Sequence, residues 1–87
     1  MHAVLINVSF DDPEVAQGTL GELVPRVAGT PGFVAGYWIA LAGNRGTSTI
    51  LFDSEAAAQG LVTMVHAAPT GGVRVDSVEV GEVIAQA

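Results

Sequence analysis

Pro31-Gly32-Phe33-Val34-Ala35-Gly36-Tyr37-Trp38-Ile39-Ala40 is the stretch on which the fold of this 87-residue chain turns. It holds the only Trp, the only Tyr and one of the three Phe residues. Pro31-Gly32 interrupts the preceding segment, and the aromatic and β-branched residues that follow favour a strand. That strand is apolar on both faces. A chain this short cannot cover both faces of a sheet from its own residues, because small domains bury a modest share of their surface. One face is therefore expected to meet a partner chain or a ligand. Strict alternation puts Phe33, Ala35, Tyr37 and Ile39 on a helix-facing row. It puts Val34, Gly36, Trp38 and Ala40 on a row facing the partner or a cavity.

The composition points the same way. Hydrophobic residues make up 49% of the chain and charged residues 14%, an oily balance for a small monomer. Association would supply the missing cover and add stability by mass action. Arg26, Arg45 and Arg74 are the only basic residues besides histidine, and nine acidic residues bring the net charge to -6. Such a surface has no basic footprint for nucleic acid or for an anionic membrane. The absence of Cys excludes disulfides and thiolate metal sites. Met1 to Val8 is apolar but lacks a positive flank, so it reads as a first strand and not a signal peptide. No segment reaches the length that spans a bilayer. The expectation is one cytoplasmic domain covering residues 1–87.

Outward from the central strand, the pattern alternates between sheet and helix periods. His2, Val4, Ile6, Val8 and Phe10 form one face of the first strand, and Ala3, Leu5, Asn7 and Ser9 the other. Asp12-Pro13 starts a helix, with the Asp as cap, Pro at the first position and Glu14 at the positive end of the dipole. Ala16, Leu20, Leu23, Val24 and Val27 make its apolar stripe. Pro25 projects on the opposite side, near Gly18 and Gly21, where a kink leaves the packing intact. Ala42 to Gly46 carries hairpin chemistry, and Thr47 to Phe52 is the next strand. Asp53 or Ser54 caps a second helix that buries Ala57, Leu61, Met64, Val65 and Ala68. Its outer arc is Glu55, Gln59, Thr63 and His66. Pro69 to Gly72 stops it, and Val73 to about Ile84 is the last strand.

The order is β-α-β-β-α-β, a ferredoxin-like α+β pattern with both helices on one face of an antiparallel sheet. With that order, the Pro31-Gly32-Phe33 lead-in, Gly36-Tyr37-Trp38, and Phe52-Asp53-Ser54-Glu55-Ala56-Ala57, the chain resembles the dimeric α+β barrel superfamily. Within it, the resemblance is to small bacterial proteins grouped with the antibiotic-biosynthesis monooxygenases. The resemblance implies a homodimer with the sheets' bare faces opposed. It also implies a function among cofactor-independent oxygenases of aromatic compounds, haem-degrading enzymes, isomerases and proteins without a known reaction. The haem-degrading branch uses an Asn on strand one, a Trp on strand three and a His in helix two. Asn7 matches by strand. Trp38 lies on strand two instead, and His66 falls on the water-facing arc, so haem binding is not carried over.

Asn7 and Trp38 are the candidate substrate-binding residues. Asn7, if it lines a cavity, can hold a carbonyl or phenolic oxygen; at a dimer seam it is an ordinary satisfied amide. Trp38 can stack on an aromatic substrate or anchor an interface. His2 and His66 are of the residue type that most often serves as a general base, but one is terminal and the other faces water. Asp53 and Glu55 read as helix-start residues. Asp76, Glu79 and Glu82 cannot all share a strand face. Gly43-Asn44-Arg45-Gly46 is a turn and lacks the Lys and the strand-to-helix context of a phosphate loop. The expected function is therefore a homodimer that binds a small apolar or aromatic molecule without a cofactor, as in cofactor-independent oxygenation. The alternative is a non-catalytic dimerisation module whose interior is filled by side chains.

Overall fold

Six elements follow one another in the computed structural model: β1 (His2–Phe10), α1 (Pro13–Ala28), β2 (Phe33–Leu41), β3 (Arg45–Phe52), α2 (Glu55–Ala67) and β4 (Val73–Glu82). The structure describes residues 1–67 and 73–87. The proposed stop at Pro69 to Gly72, and Ala68 in the second helix, lie outside them. The sheet runs β2-β3-β1-β4, with every neighbouring pair antiparallel.

Local chemistry accounts for the helix starts. The Asp12 carboxylate accepts the Glu14 N–H at 2.9 Å, with Pro13 opening α1. Ser54 does the same for α2, its hydroxyl accepting the Ala57 N–H at 3.2 Å. Each cap satisfies a donor that has no partner within the helix. Pro25 sits inside α1 on an exposed position, and the helix runs on to Ala28. The β2–β3 hairpin turns through Gly43 and Asn44, which both take left-handed backbone angles of 76° and 55°. Gly and Asn tolerate that region best.

The core lies between the helices and one sheet face. Val4, Ile6, Ile50 and Phe52 come from the sheet, Val27 from α1, and Ala58 and Leu61 from α2. Phe33 meets Phe52 edge to face, with ring centroids 6.2 Å apart. The expected α1 stripe is found, with Ala16 and Val27 fully buried and Leu20, Leu23 and Val24 partly so. In α2 the outer arc of Glu55, Gln59, Thr63 and His66 is exposed as expected, while Ala58 joins Leu61 at the centre of the buried side.

Strand two departs from its expected facing. Phe33 pairs with Phe52 but Ala35 pairs with Leu51, so Val34 is an extra residue in β2. The bulge shifts the side-chain phase by one beyond that point. Gly36 and Trp38 then stand opposite Ile50 and Ser48, on the helix-facing side with Phe33. Ala35, Tyr37, Ile39 and Leu41 face away from the helices, opposite Leu51, Thr49, Thr47 and Arg45. The two rows expected from strict alternation are thus exchanged for residues 35–41, and Phe33 alone keeps its place.

Candidate functional site

The sheet–helix layer is not closed throughout. An inner chamber of about 90 Å³ lies between the sheet and both helices, walled by Ile6 and Val8 of β1, Leu23 of α1, Trp38 of β2, and Leu61 and Met64 of α2. It adjoins an outer chamber of about 240 Å³ beside the first turns of α1. Val8, Phe10, Ala16, Leu20, Trp38 and Ser48 line both chambers. Among the described residues, no lining residue of either chamber carries an ionisable side chain.

Trp38 owes its position to Gly36. A Cβ at residue 36 would lie 2.7 Å from Trp38 Cη2 and Cζ3, and 3.4 Å from a Phe33 ring atom. The indole therefore leans along β2 over the bare glycine backbone. A side chain at 36 would push it outward into the chamber. The missing Cβ and the bulge act together: one turns Trp38 toward the helices, and the other lets it lie close to the sheet.

Ser48 is the polar residue that sequence reasoning passed over. It stands opposite Trp38 in the β2–β3 register and next to Ile6 in the β1–β3 register. At 7% exposure it is the one buried polar residue among the described residues. A signal existed. Counting pairs outward from the hairpin turn, Leu41 with Arg45, places Trp38 opposite Ser48, on the row shared by Ile50 and Phe52.

Asn7 is on the other face of the sheet. Its Nδ2 donates to Ser77 Oγ at 2.9 Å, beside a second polar contact in which Ser9 Oγ donates to Asp76 Oδ2 at 2.5 Å. Asn7 and Trp38 are therefore separated by the sheet and cannot line one pocket. Around Asn7, the bare face carries Leu5, Tyr37, Ile39 and Leu41, all exposed in the single chain. Its polar residues lie on both flanks of β1, Thr47 and Thr49 on β3 and Ser77 and Glu79 on β4.

Neither histidine lines a chamber. His66 is exposed on α2. His2 lies at the start of β1, with Nε2 3.7 Å from Glu55 Oε2 and Nδ1 buried without a hydrogen bond. Arg45 folds back on the hairpin, its Nε donating to the Ala42 carbonyl at 3.1 Å. Among the described residues, no three His, Cys, Asp or Glu side chains converge as a metal site. No helix among them is long and apolar enough to cross a membrane.

A four-stranded antiparallel sheet in the order β2-β3-β1-β4, with both helices on one face, is the ferredoxin-like α+β fold. Solved structures agree with that assignment. The NE2512 protein of unknown function from Nitrosomonas europaea superposes with a TM-score of 0.62 at 15% identity, over 99% of this chain and 92% of its own. A mutant of MhuD, crystallised with two manganese protoporphyrin IX groups bound per active site, superposes with a TM-score of 0.56 at 16% identity, over 100% of this chain and 98% of its own. No family model matches the chain, and no curated protein does. The likeness is one of fold.

Proposed function

We propose that this protein is a homodimer that binds a small, neutral, mainly apolar or aromatic molecule between its sheet and its helices, against Trp38. The observation that carries the reading is the pair of adjoining chambers with apolar walls and no ionisable lining residue among those described. Burying a charged ligand there would cost far more than the walls return. A flat ring gains contact with the indole and the aliphatic side chains around it. Engineered apolar cavities of about 150 Å³ hold benzene; the inner chamber of about 90 Å³ falls short of that and the outer one of about 240 Å³ exceeds it, so a ligand of one or two rings would occupy both together.

A porphyrin of the kind the MhuD mutant holds does not fit these residues. The chambers offer no His as an axial ligand and no Arg to meet propionates. Nor do the lining residues supply a general base. Any reaction here would depend on the substrate's own acidity, with the protein contributing orientation and exclusion of water. Binding is therefore the primary activity proposed, and cofactor-independent oxygenation a use to which such a site lends itself.

Dimerisation rests on the bare sheet face. Tyr37 is 59% exposed and Ile39 48% exposed, and both lie on a sheet surface that the helices leave uncovered. A second copy of the same face would cover them in an isologous contact. A non-catalytic association module would need this face alone and make no use of the chambers.

The single Trp gives a direct test, since its indole N–H contributes one resonance to a nitrogen–proton correlation spectrum. Titration with p-cresol should move that resonance in a saturable way. Sedimentation equilibrium at micromolar concentration should return twice the chain mass of 8.8 kDa. An unmoved indole signal would remove the ligand, and a mass of one chain would remove the dimer.

A further inference from the structure

We infer that the Ser48 hydroxyl is the polar recognition point of this pocket, and that its ligand is a neutral molecule presenting one hydroxyl or carbonyl oxygen from an otherwise apolar body. The inference rests on the ligand site proposed above and names the class of molecule it takes. Ser48 belongs to the helix-facing row of β3, where its neighbours along the strand are Gly46, Ile50 and Phe52. An apolar residue would suit that row better in a closed core; the Ser48 hydroxyl, unlike the buried Nδ1 of His2, is not sealed from solvent and keeps its access through the chambers it lines. The side chain is more than nine-tenths buried, yet it reaches both chambers. Among the described residues, the side-chain hydrogen bonds leave its hydroxyl unengaged.

The other polar lining groups are placed differently. Thr19 Oγ1 donates to the Val15 carbonyl at 3.1 Å within its own helix. Gln17 is exposed, and both Gln17 and Thr47 line the outer chamber alone. Ser48 thus presents a donor and an acceptor across the β2–β3 pair from Trp38, on the lining that the two chambers share. A ring stacked on Trp38 would bring a substituent at its edge to that hydroxyl. Charge is unwelcome there, since the lining carries none to balance it. A phenol, a ketone or a quinone-like carbonyl has the matching chemistry: one oxygen that exchanges a hydrogen bond with Ser48, and carbon elsewhere.

The test compares two near-isosteric probes, p-cresol and p-xylene, which differ by a hydroxyl in place of a methyl group. Binding of each is followed through the Trp38 indole resonance in the wild type, Ser48→Ala and Ser48→Thr. Ser48→Ala should weaken p-cresol by roughly fivefold to tenfold, the net worth of one hydrogen bond. It should leave p-xylene within about twofold, and Ser48→Thr should restore much of the p-cresol affinity. Equal effects on both probes in Ser48→Ala would overturn the inference while leaving the pocket in place. If neither probe moves the wild-type indole signal, the ligand site itself falls, and Ser48 with it. The correlation spectrum of each variant reports its fold, and the Thr variant keeps the test open should the Ala variant repack.

Discussion

The two faces of the sheet are built from alternate residues of the same strands, yet they do opposite work. On the helix side Val4, Ile50 and Phe52 are sealed from water. On the bare side Leu5, Tyr37 and Ile39 are exposed, although they too are large and mainly apolar. The first face stores the stability of the single chain, through area removed from water. The second leaves its apolar area exposed in the single chain, and this is the area that the proposed dimer would cover. Strand β2 shows the division most sharply, because the bulge at Val34 decides which of its large side chains joins which face.

The most damaging change should be Phe52→Ala, at the fully buried centre of the helix-side face. Removing the ring leaves a cavity beside Phe33 in the buried cluster, and such truncations cost about 3–5 kcal/mol. A domain of this size should lose at least ~12 °C in Tm. Urea unfolding at fixed protein concentration measures it. A cost under ~1 kcal/mol would mean that the face is not the structural core described here.

Next in size is a change confined to the other face. Ile39→Asp puts a carboxylate on the bare surface of the edge strand β2, opposite Thr47. In a single chain the new charge stays hydrated; in a face-to-face dimer it is buried without a partner. The dimer dissociation constant should rise about a hundredfold or more, equivalent to ~2.7 kcal/mol. Sedimentation equilibrium reads this directly, while the far-ultraviolet dichroism of the protomer should stay as it was. An undiminished dimer would place the interface on another surface.

How much of this was legible in the sequence differs between the two faces. The helix face of β1, the α1 stripe, the cap at Asp12 and a cap at Asp53 or Ser54 could be read because each depends on a short, regular period or a local hydrogen bond. Strand two could not be read the same way. Its residues are apolar in both phases, so composition gave no warning when one extra residue shifted the register. The amphipathic information lay in β3, where Arg45, Thr47 and Thr49 alternate with Gly46, Ser48 and Ile50. Only the pairing of the two strands transfers it to Trp38. Asn7 was singled out as a polar residue on a strand with a greasy opposite face, and that description is correct; what a lone strand could not say is that Trp38 lies on the far side of the sheet.

Gly36→Ala tests the device that fits Trp38 into its face. The new methyl would meet the indole at 2.7 Å, so the ring has to move. Overpacking of this kind typically costs 1–3 kcal/mol. The displaced indole should enter the chamber and compete with p-cresol, lowering its affinity several-fold and shifting the resonance of the free protein. Dimer affinity should hold, since residue 36 shares its facing with the core. A loss of dimer with ligand affinity intact would reverse the assignment of the two faces.

The smallest effect is expected from Asn7→Ala, and it bears most directly on where the ligand sits. The amide is exposed and gives up one hydrogen bond, to Ser77 Oγ. In the single chain that loss should amount to about 0.5–1.5 kcal/mol. Because the whole sheet stands between Asn7 and Trp38, p-cresol should bind Asn7→Ala as it binds the wild type. If instead this substitution abolishes p-cresol binding while Ser48→Ala does not, the ligand lies between two opposed sheets. The bare face would then be a binding surface as well as an associating one. The two variants thus interrogate opposite sides of a single sheet, with the same probe and the same indole resonance, and only one of them should alter the affinity.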